Sequence, residues 1–134
     1  MSRKTIILPK GTQNGKRARA GAPWIFSNEI RMDEAAKAIQ PGTIVNVRGH
    51  DGQAFGTGYF NPRSLIAVRL LDWACDAVID ADFFAARFSR ALALRDSLYK
   101  RPYYRLCHAE GDGLPGLVID RFDDTLSVQI STAG

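Results

Sequence analysis

The sequence contains only two cysteines, Cys75 and Cys107, and no long apolar run. The cysteines lack CxxC spacing and lie among apolar residues, which favours two reduced, packed thiols in a cytoplasmic protein. The apolar run at residues 6–8 is too short for a signal peptide, and no segment approaches the roughly 20 apolar residues that span a bilayer. These absences predict a cytoplasmic protein without a membrane segment.

The common catalytic motifs are also missing. The sequence has no P-loop, no serine nucleophile elbow, no HExxH and no Cys/His cluster with metal-ligand spacing. Gly56-Thr57-Gly58 is not a dinucleotide fingerprint, because no helical pattern follows it and Pro62 interrupts the stretch. We therefore expect neither a complete active site nor a bound metal or cofactor in this chain.

Positive charge is concentrated in two stretches of the sequence. Residues 1–20 hold six basic side chains and no acid, and residues 87–105 hold six basic side chains and one acid. Residues 106–124, in contrast, carry five acids and one basic residue. This asymmetry indicates an anionic partner, with nucleic acid as the first candidate. The alternative is a basic surface that is simply solvated.

Turn residues divide the first half of the chain into short strands. Strands are predicted at residues 5–8, 43–48, 53–60 and 65–73, with turns at residues 49–52 and 61–64. A weak helix is predicted at residues 33–40. The glycines of residues 56–58 lie inside a strand and predict a bulge or a tight corner. Several short strands at this spacing predict a small β-barrel.

The second half predicts one long helix and a β-hairpin. The helix is expected at residues 82–100, capped by Asp80 or Asp82. An apolar stripe recurs at three- and four-residue steps: Phe84, Phe88, Ala91, Leu92, Leu98 and Tyr99. Arg87, Arg90 and Arg95 fall largely off this stripe, and residues 117–121 and 125–130 form the hairpin. The predicted fold class is therefore mostly-β α+β, a small barrel followed by an incomplete α+β unit.

A loop between extended segments carries most of the conspicuous polar residues of the second half. Its glycines and Pro115 exclude a regular helix or strand, so the loop must follow one special path. Glu110 and Asp112 lie near His108, and this group could be a metal or acid/base site. The alternative is that the acids cap turns and His108 merely packs. We expect both acids to be exposed.

Two groups of motifs resemble a known family over nearly the whole chain. Gly21-Ala22-Pro23-Trp24-Ile25-Phe26, Gly42-x-x-Val45, Gly56-x-Gly58-Tyr59-Phe60-Asn61-Pro62-x-Ser64, Ile66 and Arg69 are similar to the N-terminal PUA domain of the large-subunit (23S) ribosomal RNA cytosine-C5 methyltransferases. Tyr104-Arg105-Leu106, Glu110-x-Asp112-Gly113-Leu114-Pro115-Gly116-Leu117 and Asp120-Arg121 are similar to the start of that family's central domain. Ala22, Cys107 and Asp123 depart from the family's usual residues.

The resemblance implies a division of the chain and a role for it. Residues 1–73 would be a PUA-like RNA-binding domain and residues 74–134 the truncated start of a central α+β domain. The C-terminal Rossmann-like methyltransferase domain would be absent. That domain would hold S-adenosylmethionine and the cysteine that attacks C6 of cytosine before methyl transfer to C5. Neither Cys75 nor Cys107 inherits that role, and this segment alone is expected to be inactive.

The chain is accordingly predicted to position ribosomal RNA for a cytoplasmic transferase that acts in rRNA processing. The RNA-binding candidates, chosen because basic side chains neutralise phosphates, are Lys16, Arg17, Arg19, Arg63 and Arg69. Trp24 could stack on a base, although a Trp in this context is more often core. Glu110 and Asp112 are expected to border the substrate cleft or pack on the missing domain. The alternatives are a stand-alone PUA RNA-binding module and a dimerisation segment, which would make the chain a homodimer.

Overall fold

The computed structural model describes residues 3–11 and 21–134. The chain divides into two compact units. The first comprises Met1–Ala77 together with Ala133–Gly134, and the second comprises Val78–Thr132.

The first unit is built on a five-stranded sheet with the strand order β1-β3-β4-β5-β2. Its strands are β1 (Thr5–Leu8), β2 (Trp24–Phe26), β3 (Thr43–Gly49), β4 (Ala54–Phe60) and β5 (Ile66–Asp72). β1 runs parallel to β3, and the other neighbours are antiparallel. A 3-10 turn (Ser27–Glu29) follows β2, and a short helix α1 (Glu34–Lys37) precedes β3. The predicted strands are confirmed within one or two residues.

The core of this unit lies on the concave side of a curled sheet, a half-barrel. Its most buried side chains, all 1% exposed or less, come from every strand: Ile6, Leu8, Ile25, Val45, Val47, Phe60 and Val68. Burying each such side chain contributes about 1.5–3 kcal/mol. The β4–β5 register shifts between Thr57 and Gly58, where a Cβ on Gly58 would collide with the backbone of Arg69. The predicted bulge is therefore confirmed, and it lets the sheet bend.

Trp24 is not a fully buried core residue, although its sequence context favoured a core position. Ile25 is fully buried and Ile30 is 6% exposed, whereas Trp24 and Phe26 are half-buried. The reason is the two-residue alternation of a strand. Because Ile25 points into the core, its two neighbours on β2 must point away from it.

A polar network fixes the segment that leaves the first unit. The Asn46 side-chain amide donates to the Asp76 carboxylate at 2.7 Å, and the Asp76 N–H donates back to the Asn46 carbonyl oxygen at 2.8 Å. The Thr57 hydroxyl donates to the Ala74 carbonyl at 2.7 Å and accepts the Ala77 N–H at 3.2 Å. Buried Asn46 and Thr57 are thus satisfied by residues 74–77, which they hold against the strands.

The second unit packs one helix against a three-stranded antiparallel sheet. Helix α2 (Ala81–Leu98) begins after Asp80, whose carboxylate accepts the Phe83 N–H at 2.9 Å. The sheet has the order β6-β7-β8, with strands Tyr103–His108, Leu117–Phe122 and Thr125–Ile130. A 3-10 turn (Ala109–Asp112) follows β6. The predicted long helix and hairpin are confirmed.

The buried face of α2 differs from the predicted apolar stripe. Ala91 is 2% exposed, and Phe83 and Phe88 pack on the cluster of Cys107, Leu114 and Ile119. Several predicted stripe residues are instead exposed: Phe84, Leu92, Leu98 and Tyr99. The inward face contains Arg87 and Arg95, because their apolar stems pack while their guanidinium groups reach polar atoms of the sheet and loop. The prediction is confirmed for Phe88 and Ala91. It was wrong for the exposed residues, because it treated every arginine as an outward residue.

No helix within residues 3–11 and 21–134 is both long enough and apolar enough to cross a membrane.

Candidate nucleic-acid interface and acidic loop

Arg63 lies in the turn between β4 and β5. Its backbone N–H donates to the Asn61 side-chain oxygen at 2.9 Å, and the Ser64 N–H donates to the Asn61 carbonyl at 3.2 Å. Asn and Pro are typical of such turns, in which the Asn side chain mimics a backbone acceptor. The turn is therefore held by its own hydrogen bonds, and the Arg63 residue is exposed.

Arg69 lies opposite Trp24 on the neighbouring strand β2. Its guanidinium carbon is 5.3 Å from the centroid of the Trp24 ring, which is a cation–π arrangement. Within the described ranges, the buried Trp24 Nε1 has no hydrogen-bond partner. The pair places a half-buried cation and a half-buried indole together at the β2 edge of the sheet.

The other three predicted RNA-binding residues, Lys16, Arg17 and Arg19, fall outside the described residues. Their role stays a prediction from sequence. Of the basic residues on α2 that were predicted to lie largely off the packed stripe, Arg90 is exposed. Arg87 is instead directed inward and donates to the Gly113 carbonyl at 3.0 Å.

Asp112 lies at the centre of the loop of residues 109–116 between β6 and β7, which we call the acidic loop. Its side chain is 7% exposed and forms a two-pronged ion pair with Arg95, at 2.5 Å to Nη1 and 2.8 Å to Nη2. The His108 N–H donates to the same carboxylate at 2.6 Å. Arg95 also donates through Nε to the Arg105 carbonyl at 3.0 Å. Asp112 therefore joins α2, the end of β6 and the 3-10 turn.

The charges of this ion pair are stabilised by their mutual contact. Burial disfavours the charged form of Asp112, but the hydrogen bonds from Arg95 and the His108 N–H outweigh it and lower the pKa of the carboxyl. The hydrogen bond to Asp112 raises the pKa of Arg95. Burial, with a smaller effect of Asp112, raises the pKa of the Cys107 thiol.

The expectation that both acids are exposed is wrong for Asp112. A partner on α2, far away in sequence, draws the carboxylate inward, and no local pattern reveals such a pairing. Glu110 is half-buried and His108 is exposed. The described residues contain no group of three or more His, Cys, Asp or Glu side chains arranged to hold a metal ion. Asp112 therefore fits the alternative in which the acids cap turns. Its carboxylate accepts hydrogen bonds from the His108 backbone N–H and the Arg95 guanidinium group.

Backbone geometry also fixes the loop after Asp112. Gly113 has φ +72°, in the left-handed region that favours glycine. Its N–H donates to the Glu110 carbonyl at 3.1 Å, and the Leu114 N–H donates to the Ala109 carbonyl at 3.1 Å. Leu114 is 2% exposed. The loop is therefore an ordered structural feature of the second unit.

Comparison with known sequences gives one domain family. A profile described as a PUA-like domain matches residues 7–73, which are half of the 134-residue chain. The protein named Ribosomal RNA large subunit methyltransferase I of Shewanella denitrificans is 44% identical over 115 residues, or 84% of this chain and 29% of that protein. The protein of the same name from Aliivibrio fischeri strain MJ11 is 40% identical over 134 residues, or 97% of this chain and 33% of that protein. The chain spans about a third of the length of the curated relatives it matches.

Solved structures share the fold at low sequence identity. A protein described as a methyltransferase, crystallised as a complex with SAH, matches with a TM-score of 0.78 and 16% identity over 96% of this chain and 33% of its own. A protein from Streptococcus mutans described as a SAM-dependent methyltransferase gives a TM-score of 0.77 and 16% identity, over 97% of this chain and 33% of its own. At 16% identity, these two matches show similarity of fold alone.

Proposed function

The chain belongs to the PUA-like domain family, and on this premise we propose that it is the RNA-binding N-terminal region of an S-adenosylmethionine-dependent ribosomal RNA (cytosine-C5) methyltransferase. The observation that carries the proposal is 40–44% identity, over most of the chain, to proteins named Ribosomal RNA large subunit methyltransferase I. These relatives confirm the resemblance drawn from the sequence motifs. A protein acting on ribosomal RNA would work in the cytoplasm.

In this role, the chain would supply affinity for the RNA backbone. Lysine and arginine side chains neutralise phosphates and release counterions, whereas base identity is read by other contacts. Arg63 suits such a contact because it is exposed on a well-fixed turn. Arg69 would offer a guanidinium already oriented by Trp24. Lys16, Arg17 and Arg19 would add charge from the N-terminal basic stretch.

The methyl-transferring step would belong to the part of the parent protein that this chain does not cover. S-adenosylmethionine, bound there, would supply the methyl group. The two cysteines of this chain are poor candidates for the nucleophile. Cys107 is fully buried and its pKa is raised by burial, which disfavours the reactive thiolate. The Cys75 thiol donates to the Val47 carbonyl at 3.3 Å and the Gly56 carbonyl at 3.5 Å.

We further propose that residues 1–73 are the RNA-binding domain and that residues 74–134 begin the central domain. Residues 74–77 belong to the first compact unit, together with its strands. In the second unit, Glu110 would border the substrate cleft or pack on the rest of the parent protein. Asp112 would act indirectly by holding that loop in shape through Arg95.

Binding to a ribosomal RNA fragment at increasing salt concentration tests the proposal. We expect affinity to fall steeply with salt and Lys16→Glu, Arg17→Glu and Arg19→Glu to weaken it, because each removed phosphate contact lowers the salt slope by about one. A flat salt response, or no binding in dilute buffer, would contradict the proposal. The matched control is Lys37→Glu, which reverses an exposed lysine already paired with Glu34 at 3.1 Å.

The exposed apolar residues of the second unit favour self-association as a second candidate function. β8 is exposed along its whole length, including Leu126, Val128 and Ile130 at 53–70%. Apolar patches of this kind mark interaction surfaces. Light scattering at several concentrations would detect a homodimer, and RNA binding unaffected by charge reversal at Lys16, Arg17 and Arg19 would favour this alternative.

A further inference from the structure

A groove of about 220 Å³ lies beside β1 in the first unit. Residues 4–7 form one wall of the groove. Residues of the segment 31–39, which contains α1, form the other wall. The Arg31 N–H donates to the Ile7 carbonyl at 2.8 Å and joins the two walls. The Asp33 carboxylate accepts the Ala36 N–H at 2.9 Å and fixes the start of α1.

The backbone of β1 presents hydrogen-bonding groups to this groove. In the parallel pairing with β3, the Lys4 carbonyl accepts the Asn46 N–H at 2.9 Å. Alternate residues of a strand direct their backbone groups to opposite edges, so Thr5 and Ile7 face away from β3. Arg31 takes the Ile7 carbonyl, while the N–H and C=O of Thr5 point toward the groove. A strand edge of this kind offers one donor and one acceptor side by side.

The groove also combines positive charge with apolar surface. Lys4 and Arg31 are exposed at its rim, and neither side chain has a hydrogen bond or ion pair to another described residue. Ala36 and Ile39 are buried and form part of its floor. Among the lining residues that the structure describes, Asp33 is the one acid, and its carboxylate caps α1 by accepting the Ala36 N–H. The charge of the lining is therefore positive.

These three properties match the three parts of a nucleotide. Two cations bind a phosphate, an apolar surface accepts the face of a base or a ribose, and a strand edge can bond to polar groups at the edge of a base. A free inorganic anion would leave the apolar floor unused. An apolar ligand would leave both cations unused.

We propose that this groove binds one nucleotide of single-stranded RNA, with its phosphate on Lys4 and Arg31 and its base on the Ala36 and Ile39 side. The inference rests on the proposed RNA-binding function. It adds a second site beside the end strand β1, whereas Trp24, the partner of Arg69, lies on the other end strand of the order, β2. Neither Lys4 nor Arg31 is among the five RNA-binding candidates chosen from sequence, although Lys4 lies in the basic stretch of residues 1–20.

The test uses the full chain, a short single-stranded RNA of mixed sequence that contains 4-thiouridine, and the double variant Lys4→Glu/Arg31→Glu. We expect the double variant to bind about tenfold more weakly and its salt slope to fall by about one, because the two side chains neutralise the same phosphate. Lys37→Glu is the matched control, because it reverses a lysine on α1 that does not line the groove. Thermal unfolding checks that all variants remain folded.

Photo-crosslinking locates the RNA independently of affinity. We expect crosslinked peptides to contain residues 4–7 or residues 31–39 in the wild type and to be lost in the double variant. If the wild type binds RNA but crosslinks elsewhere, and the double variant binds like Lys37→Glu, the groove is not a nucleotide site while the proposed function stands. If the wild type does not bind RNA at all, the proposed function fails and the groove assignment fails with it.

Discussion

Asp112 holds the acidic loop of the second unit in place through its carboxylate. It accepts hydrogen bonds from Arg95 on α2 and from the His108 backbone, and it is nearly buried. Asp120 offers a natural comparison, because it also pairs with an arginine, Arg105 at 2.9 Å, but in a more open position, with the two side chains 28% and 47% exposed. The two ion pairs are chemically similar but differ in burial, so removing each carboxylate should lower the folding stability by a different amount.

We expect Asp112→Ala to destabilise the second unit by about 3 kcal/mol, because it leaves the Arg95 cation without its partner in a buried position. Asp120→Ala should have a much smaller effect, since water solvates the exposed Arg105 in its place. Chemical denaturation of both variants measures the difference. Equal losses would contradict the role of burial, and an unchanged Asp112→Ala variant would show that the ion pair does not hold the loop.

The lowered pKa of Asp112 also makes stability depend on pH. The carboxyl binds protons more weakly in the folded than in the unfolded state, so its stabilisation is present above the unfolded pKa of about 4. That stabilisation is lost as the pH falls from there through the folded pKa. We expect the thermal midpoint of the wild type to fall in this acid range more steeply than that of Asp112→Asn. Parallel pH profiles would contradict this assignment.

At the scale of elements, the strands follow from local sequence and the helix face does not. β-branched runs bounded by Gly and Pro gave strands close to those observed, and Asp80 gave the start of α2. The burial of Arg95 depends on Asp112, a partner that only the tertiary fold brings near. The groove at β1 has the same origin, because Lys4 and Arg31 line it together only in the folded chain, where the Arg31 N–H donates to the Ile7 carbonyl.

Two neighbouring alanines of α2 test which face of this helix is buried. Ala91 is 2% exposed and Ala93 is exposed. We expect Ala91→Leu to cost about 1–3 kcal/mol, because extra methylene groups overpack a filled space. Ala93→Leu should be nearly neutral on the solvent side of the same helix. Thermal unfolding of the two variants compares them directly, and the opposite order would contradict the buried position of Ala91.

At the scale of the whole chain, each compact unit has its own core. The first unit contains the complete five-stranded sheet and the larger buried cluster, whereas the second has a smaller cluster around Cys107, Leu114 and Ile119. The sequence predicted the mostly-β class because short strands and turns are local signals. The resemblance, rather than any single residue pattern, pointed to the family.

We expect a fragment of residues 1–77, which lacks only Ala133–Gly134 of the first unit, to fold by itself, because all five strands and the buried cluster lie within it. The fragment should unfold in one cooperative thermal transition and bind RNA within a few fold of the full chain. The matching fragment of residues 78–134 is the control, and it should bind RNA more weakly. A non-cooperative transition of the 1–77 fragment would show that its core needs the rest of the chain.

The ion pair between Arg95 and Asp112 also governs how the second unit can open. The His108 amide hydrogen is held by a carboxylate that α2 itself holds in place. We therefore expect the release of that hydrogen to solvent to be coupled to detachment of the helix, even though His108 is an exposed residue at the end of a strand. Its deuterium uptake should be slow and should match that of the central amides of α2, so that one proton reports the opening of a whole layer.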